Sequence, residues 1–148
     1  MDVLPAPILS VLTLRLLTPS GETIEVDAIL TYDVHDPFAV RVGFDTGQDM
    51  LVEWTFAREL LSGGVRDLTG EGDVRIWPSP YPARGTFRNA ICISLSAPGG
   101  AAMFEADRLD VVRFLEQTYD LVPAGRESEH LDIDTELAVL FAENWLAD

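Results

Sequence analysis

Polar and apolar residues alternate along much of this chain, and the alternation predicts strands. In residues 23–34, Ile24, Val26, Ala28, Leu30, Tyr32 and Val34 face one way. Thr23, Glu25, Asp27, Thr31 and Asp33 face the other, with Ile29 the exception. A period of two sustained over that length is a strand with one face on a core. Residues 8–18 read alike through Leu12, Leu14 and Leu16, and "PSGE" supplies the turn between the two. Beyond a turn at "HDP", residues 38–44 place Phe38, Val40, Val42 and Phe44 inward. "DTGQD" is then a hairpin loop. In residues 50–56, Met50, Val52 and Trp54 share a face, which assigns Trp54 to the core.

The period then lengthens. In "TFARELLSGG", residues 55–64, Phe56 pairs with Leu60 and Ala57 with Leu61 at helical spacing, with Thr55 as the N-cap and Gly63 or Gly64 as the stop. A second round repeats the plan. Residues 73–79, 86–96 and 101–106 read as strands, the middle one with Phe87, Ile91, Ile93 and Leu95 in phase. Asp107 caps a helix over 108–118 with a stripe at Val111, Phe114, Leu115 and Thr118. A polar connector over 119–130 leads to a last helix over 131–148, with Asp132 near its cap. Its stripe at Ile133, Leu137, Leu140 and Phe141 docks on the body. Ala138, Ala142 and Trp145 form a second apolar line, which either wedges the helix in its own domain or joins subunits. The pattern is one domain over residues 1–148, with two strands-then-helix halves and α+β in class.

One segment resists this reading. In "GEGDVRIWPSPYP", alternation puts Val74 and Ile76 inward and leaves Trp77 outward beside Asp73 and Arg75. Prolines at 78, 80 and 82 then take the chain out of the sheet as a rigid extended segment carrying Tyr81. Arg75, Trp77, Pro78 and Tyr81 have the composition of an interface anchor, whether to a partner or to another copy of the chain. The alternative is a loop that folds back and buries its own aromatics.

Charge narrows the partners. Of 148 residues, 25 are acids and ten are basic, a formal charge of −15; every basic residue is arginine, a bias that a GC-rich genome produces. Nucleic-acid affinity comes largely from neutralising phosphates, which this balance opposes, and an anionic membrane would repel the chain directly. Any membrane association is expected to be indirect. A start of "MDVLPAPILS" does not read as a signal peptide, so a cytoplasmic protein is expected. Cys92 is the single cysteine, which excludes an internal disulfide and a cysteine-based metal site. His35 in "VHDPF" reads as a turn residue. His130 lies among Glu127, Glu129, Asp132, Asp134 and Glu136, a run that is more often a solvated helix start than a metal site. "GGVRDLTGEGD" lacks the lysine and hydroxyl ending of a phosphate cradle, and no nucleophile motif is present. No catalytic residue, metal or cofactor is expected.

The stretches "YDVHDPFAVRVGF", "VEWTFARELLSGG", "TGEGDVRIWPS" and "LDIDTELAVLFAE" resemble the SsgA-like proteins of sporulating actinobacteria, most closely the SsgB branch. The resemblance implies an antiparallel β-barrel similar to the Whirly-type fold with C-terminal helices, and a homotrimer. It also implies a non-enzymatic role in sporulation-specific cell division: recruiting the tubulin-like GTPase FtsZ to future septa and promoting its polymerisation, together with an SsgA-like partner. Trp54, Phe56, Arg58, Glu59, Leu60 and Leu61 then look structural. The alternative function is single-stranded nucleic-acid binding, as in Whirly-type proteins, and a third is a small-ligand pocket inside the barrel.

Overall fold

A computed structural model describes residues 5–45, 51–70, 72–79 and 89–131. The first run of strands is β1 (Ile8–Leu17), β2 (Thr23–Tyr32), β3 (Ala39–Asp45) and β4 (Leu51–Ala57), followed by helix α1 (Arg58–Gly64). The second is β5 (Val74–Ser79), β6 (Ala90–Ala97) and β7 (Gly100–Asp107), followed by helix α2 (Arg108–Leu121) and a 3-10 turn at Glu127–His130. The predicted plan of strands ending in a helix, twice, is therefore present.

All seven strands join one antiparallel sheet in the order β4-β3-β2-β1-β7-β6-β5. Each run is a meander of neighbours, and the two meet where β1 lies against β7, with Arg15 opposite Glu105 and Leu16 opposite Phe104. The sheet is strongly curled. Phe44 on β3 and Phe104 on β7 are three strands apart, which in a flat sheet is about 14 Å. Their rings nevertheless stack at 4.6 Å. Curling into a half-barrel is what brings them together, and the concave side holds the core of Leu14, Leu30, Val42, Ile93 and their neighbours.

Helix α1 spans the gap between the two ends of the sheet. It leaves edge strand β4 and packs on edge strand β5. The approach is close: a Cβ on Gly64 would land on the Ile76 side chain. The chain then turns at Gly70, whose φ of +105° favours glycine. Thr69 meanwhile exchanges both backbone hydrogen bonds with Ile76, at 2.8 and 2.9 Å. Helix α2 starts as predicted: the Asp107 carboxylate accepts from the Leu109 N–H at 3.0 Å, and Val111, Phe114, Leu115 and Thr118 are its buried stripe.

Several expectations need correction. Helix α1 begins at Arg58, and Ala57, with no side-chain cap, replaces Thr55 as its N-cap. The β3–β4 ladder holds Phe56 opposite Val40 and Ala57 opposite Ala39, so Phe56 enters the core from a strand. Helix α1 ends at Gly64, one of the two stops read from the sequence, and the glycines also let it sit close, since a Cβ on either would press on Thr69 or Ile76. Phe38 is 49% exposed, because the turn at 33–38 ends before the alternation begins at Ala39. Val52 is 46% exposed and Trp54 is half-buried against the core, since that end of β4 lies at the mouth of the curl. Residues 119–131 are not simply a polar connector: α2 continues to Leu121, Val122 is fully buried, and the 3-10 turn follows. The predicted final helix, residues 46–49 of the "DTGQD" hairpin loop and the start of the 86–96 strand lie outside the described residues.

Candidate functional site

The outward face of β5 holds the residues that the sequence singled out. Trp77 stands opposite Cys92 and Arg75 opposite Ser94, which in turn stands opposite Met103. Outward alternation thus carries Arg75, Trp77, Ser94 and Met103 onto one convex surface. Arg66, Asp67 and Leu68 arrive from the segment after α1, and together with Pro78 these residues line a groove of about 560 Å³. Trp77 is half-buried there, while Leu68 is 65% and Met103 37% exposed.

Pro78 does not take the chain out of the sheet: β5 continues through it, opposite Ile91, to Ser79 opposite Ala90. The reason lies in the direction of its missing donor. Ile76 bonds Thr69 on the outer edge, so two residues on, the nitrogen of Pro78 faces that same edge and no ladder bond is lost. The structure therefore brings Arg75, Trp77 and Pro78 together. Tyr81, Ala138, Ala142 and Trp145 lie outside the described residues. Arg66, Leu68 and Met103 were missed by sequence reasoning. Met103 carried a signal, since alternation through Phe104 sets it outward, whereas Leu68 sits in a turn-rich stretch with no period.

A second cluster is structural. Arg58 is 1% exposed. One of its guanidinium nitrogens donates to the carbonyls of Thr118 at 3.1 Å and Val122 at 2.7 Å, and the other to the Glu127 carboxylate at 2.8 Å. The guanidinium also lies over the rings of Tyr119, at 4.1 Å, and Tyr32, at 4.9 Å. Helix α2 has no basic residue in its last turn, so Arg58 supplies the cation that the C-terminal carbonyls favour. A backbone hydrogen bond to Glu127 and the Arg58 guanidinium hold the Glu127 carboxyl below its ordinary range. Tyr32, whose hydroxyl donates to the Pro37 carbonyl at 2.8 Å, is pushed up to about 12, chiefly by burial.

A larger cavity of about 860 Å³ opens at the mouth of the curl, between Trp54, Val52, Phe44 and Ile24 on one side and Phe104, Leu95 and the Gly99–Gly100 turn on the other. It is the structural counterpart of the small-ligand pocket considered above, and its lining is mainly apolar with three acidic residues, Glu25, Asp27 and Asp45. His35 fits its turn role, with a ring nitrogen 2.8 Å from Asp33. The Cys92 thiol is buried and raised to about 11, mainly by burial and then by Glu105, which keeps it protonated and unreactive. Among the described residues, no group of three or more histidine, cysteine or acidic side chains stands at metal-binding spacing. Among the same residues, no helix is long and apolar enough to cross a membrane.

Comparison with known proteins adds identity to this geometry. Residues 26–127 match the family described as Streptomyces sporulation and cell division protein, SsgA. The chain is 48% identical over 129 residues to the sporulation-specific cell division protein SsgB of Frankia casuarinae, covering 87% of each chain. It is 44% identical over 133 residues to SsgB of Streptomyces coelicolor, covering 90% of this chain and 94% of that one. Among solved structures, one of SsgB, from work correlating its mutations with longitudinal cell division during sporulation of Streptomyces coelicolor, superposes with a TM-score of 0.79. It is 41% identical, with 88% of this chain and 99% of that one covered. An SsgA-like sporulation-specific cell division protein from Thermobifida fusca gives the same TM-score at 44% identity, covering 93% and 98%.

Proposed function

The chain belongs to the SsgA family of sporulation and cell division proteins, and from that membership we propose that it is a non-enzymatic adaptor of septation. It recruits FtsZ to future septum sites and promotes its polymerisation, acting with an SsgA-like partner. The protein works as one SsgA-like domain with a Whirly-type barrel, assembled as a homotrimer. It is cytoplasmic, concentrates at the division septum, and reaches the membrane only through partners.

The observation that carries this reading is 44–48% identity to SsgB proteins over most of the chain. The surface is in keeping with it: the chemistry-bearing side chains are either turned to structural use, as Arg58 is, or arranged on an outward groove suited to protein contact. Repetition of one weak site around an oligomer raises effective concentration and crosslinks a polymer that offers many copies of the matching site. A charge of −15 opposes the nucleic-acid alternative, because binding a phosphate backbone would need a basic face.

Co-sedimentation with purified FtsZ tests the proposal. Added chain is expected to increase pelleted polymer and to bundle filaments. Unchanged polymer mass and unbundled filaments across a range of concentrations at moderate salt would count decisively against it.

A further inference from the structure

We propose that the Trp77 groove is a docking site for an acidic partner segment bearing an apolar anchor. Arg66 and Arg75 pair its carboxylates, while Trp77, Leu68 and Met103 receive the anchor. The inference rests on the adaptor reading and adds to it the chemistry of the partner.

Local charge is the first support. The chain has 25 acids against ten arginines, yet the groove presents two guanidiniums, Arg66 and Arg75, against the single carboxylate of Asp67. Sign is therefore reversed at this spot. The arginines that take part in ion pairs between described residues are Arg15, Arg58 and Arg126. Arg66 and Arg75 are exposed and have no carboxylate partner among the described residues. The indole N–H of Trp77 likewise has no acceptor among them, so a third donor is available.

Apolar character is the second. Leu68 and Met103 stay substantially exposed beside a half-buried tryptophan. Tryptophan, methionine and arginine are the types enriched where proteins meet. The groove of about 560 Å³ has room for a few side chains. Its floor is also rigid: at Ile76, β5 is bonded to Thr69 on one edge and pairs with Ile93 on the other. A preformed platform reduces the ordering cost of binding.

The chain's overall charge repels an acidic segment at long range. At physiological ionic strength, charges beyond about 8 Å are largely screened. The two groove arginines then dominate what a docked segment feels.

The test is fluorescence anisotropy with the full chain at physiological ionic strength. One labelled short peptide alternates leucine with aspartate, and a second carries lysine in place of each aspartate. The acidic peptide is expected to bind at least ten-fold tighter. The Arg66→Glu/Arg75→Glu variant, both positions being exposed, should keep its melting temperature and lose most of that binding, and Trp77→Ala should lose it as well. Equal or tighter binding of the lysine peptide, or undiminished binding by the double variant, overturns the proposal, as does absence of saturable binding. A fall in solution mass on Trp77→Ala would assign the groove to a second copy and overturn it too. No FtsZ is present in this experiment, so a chain that binds the acidic peptide but leaves FtsZ unchanged would sink the adaptor reading while the groove stands.

Discussion

Replacing Arg58 by alanine would strand the buried carbonyls of Thr118 and Val122 and leave Glu127, at the edge of the site, without its cation. Breaking a buried pair from one side costs about 3–5 kcal/mol. The expected loss for Arg58→Ala lies near the lower figure, because Glu127 is close enough to the surface to rehydrate. Arg58→Lys should fall between, since an ammonium cannot reach two carbonyls and a carboxylate in one plane or stack on Tyr119. Denaturant unfolding would measure both, and a loss below about 1 kcal/mol for the alanine variant would show the cluster to be ornamental. The pH dependence has a definite sign. The carboxyl of Glu127 is lowered from its ordinary 4.5 in the folded chain, so its contribution is fully present above that value and disappears as pH falls through the lowered one. Glu127→Gln should therefore be less stable than the parent at neutral pH and converge with it in acid. None of this was legible locally. Arg58 reads as one charged position on a short helix, and its partners lie 60 to 69 residues further along the chain.

At the scale of elements, the hydrophobic period was a reliable guide where one face met the core, as in β2 from Ala28 to Tyr32 and in the helical stripe of α2, while Ile24 at the start of β2 is 53% exposed. It failed at boundaries set by tertiary contact. The start of α1 is decided by pairing with β3, and Phe38 is turned out because its carbonyl accepts the Arg58 N–H at 2.7 Å. Pro78 was misread because the sequence does not show which edge of β5 is free. The glycines of α1 show the same gap: the helix does stop at Gly64, but the sequence does not show that their smallness also lets α1 seat on β5. That seating makes a prediction in which two effects compete. Gly64→Ala gains about 1 kcal/mol of helix propensity. It also forces a methyl into the Ile76 side chain, and overpacking of that kind costs about 1–3 kcal/mol. The clash should win, giving a net loss in thermal unfolding, and the companion change Ile76→Val should recover part of it. A stabilised Gly64→Ala would mean that α1 does not hold the two ends of the sheet as closely as described.

For the whole molecule, the order of strands was the least legible feature, because β1 and β7 are joined by no local signal and the curl depends on Phe44 meeting Phe104 from opposite runs. Net charge, by contrast, was legible from the start, and it makes the last prediction. A chain at −15 repels itself when compact and is relieved by unfolding, so added salt should stabilise it by screening. Salt also weakens attractive pairs. Among the described residues, however, the Arg126–Glu129 pair is exposed and worth little, the Arg15–Glu25 pair is open to solvent on its Glu25 side, and Arg58–Glu127 is sheltered from screening. Repulsion should therefore dominate. Raising sodium chloride from low to moderate concentration at neutral pH should add roughly 1 kcal/mol, or about 2–4 °C in Tm for a chain of this size. The direction matters more than the amount. A melting point that falls with salt would mean that attractive surface pairs outweigh the net charge. The screening by which Arg66 and Arg75 govern the Trp77 groove would then need a different electrostatic account.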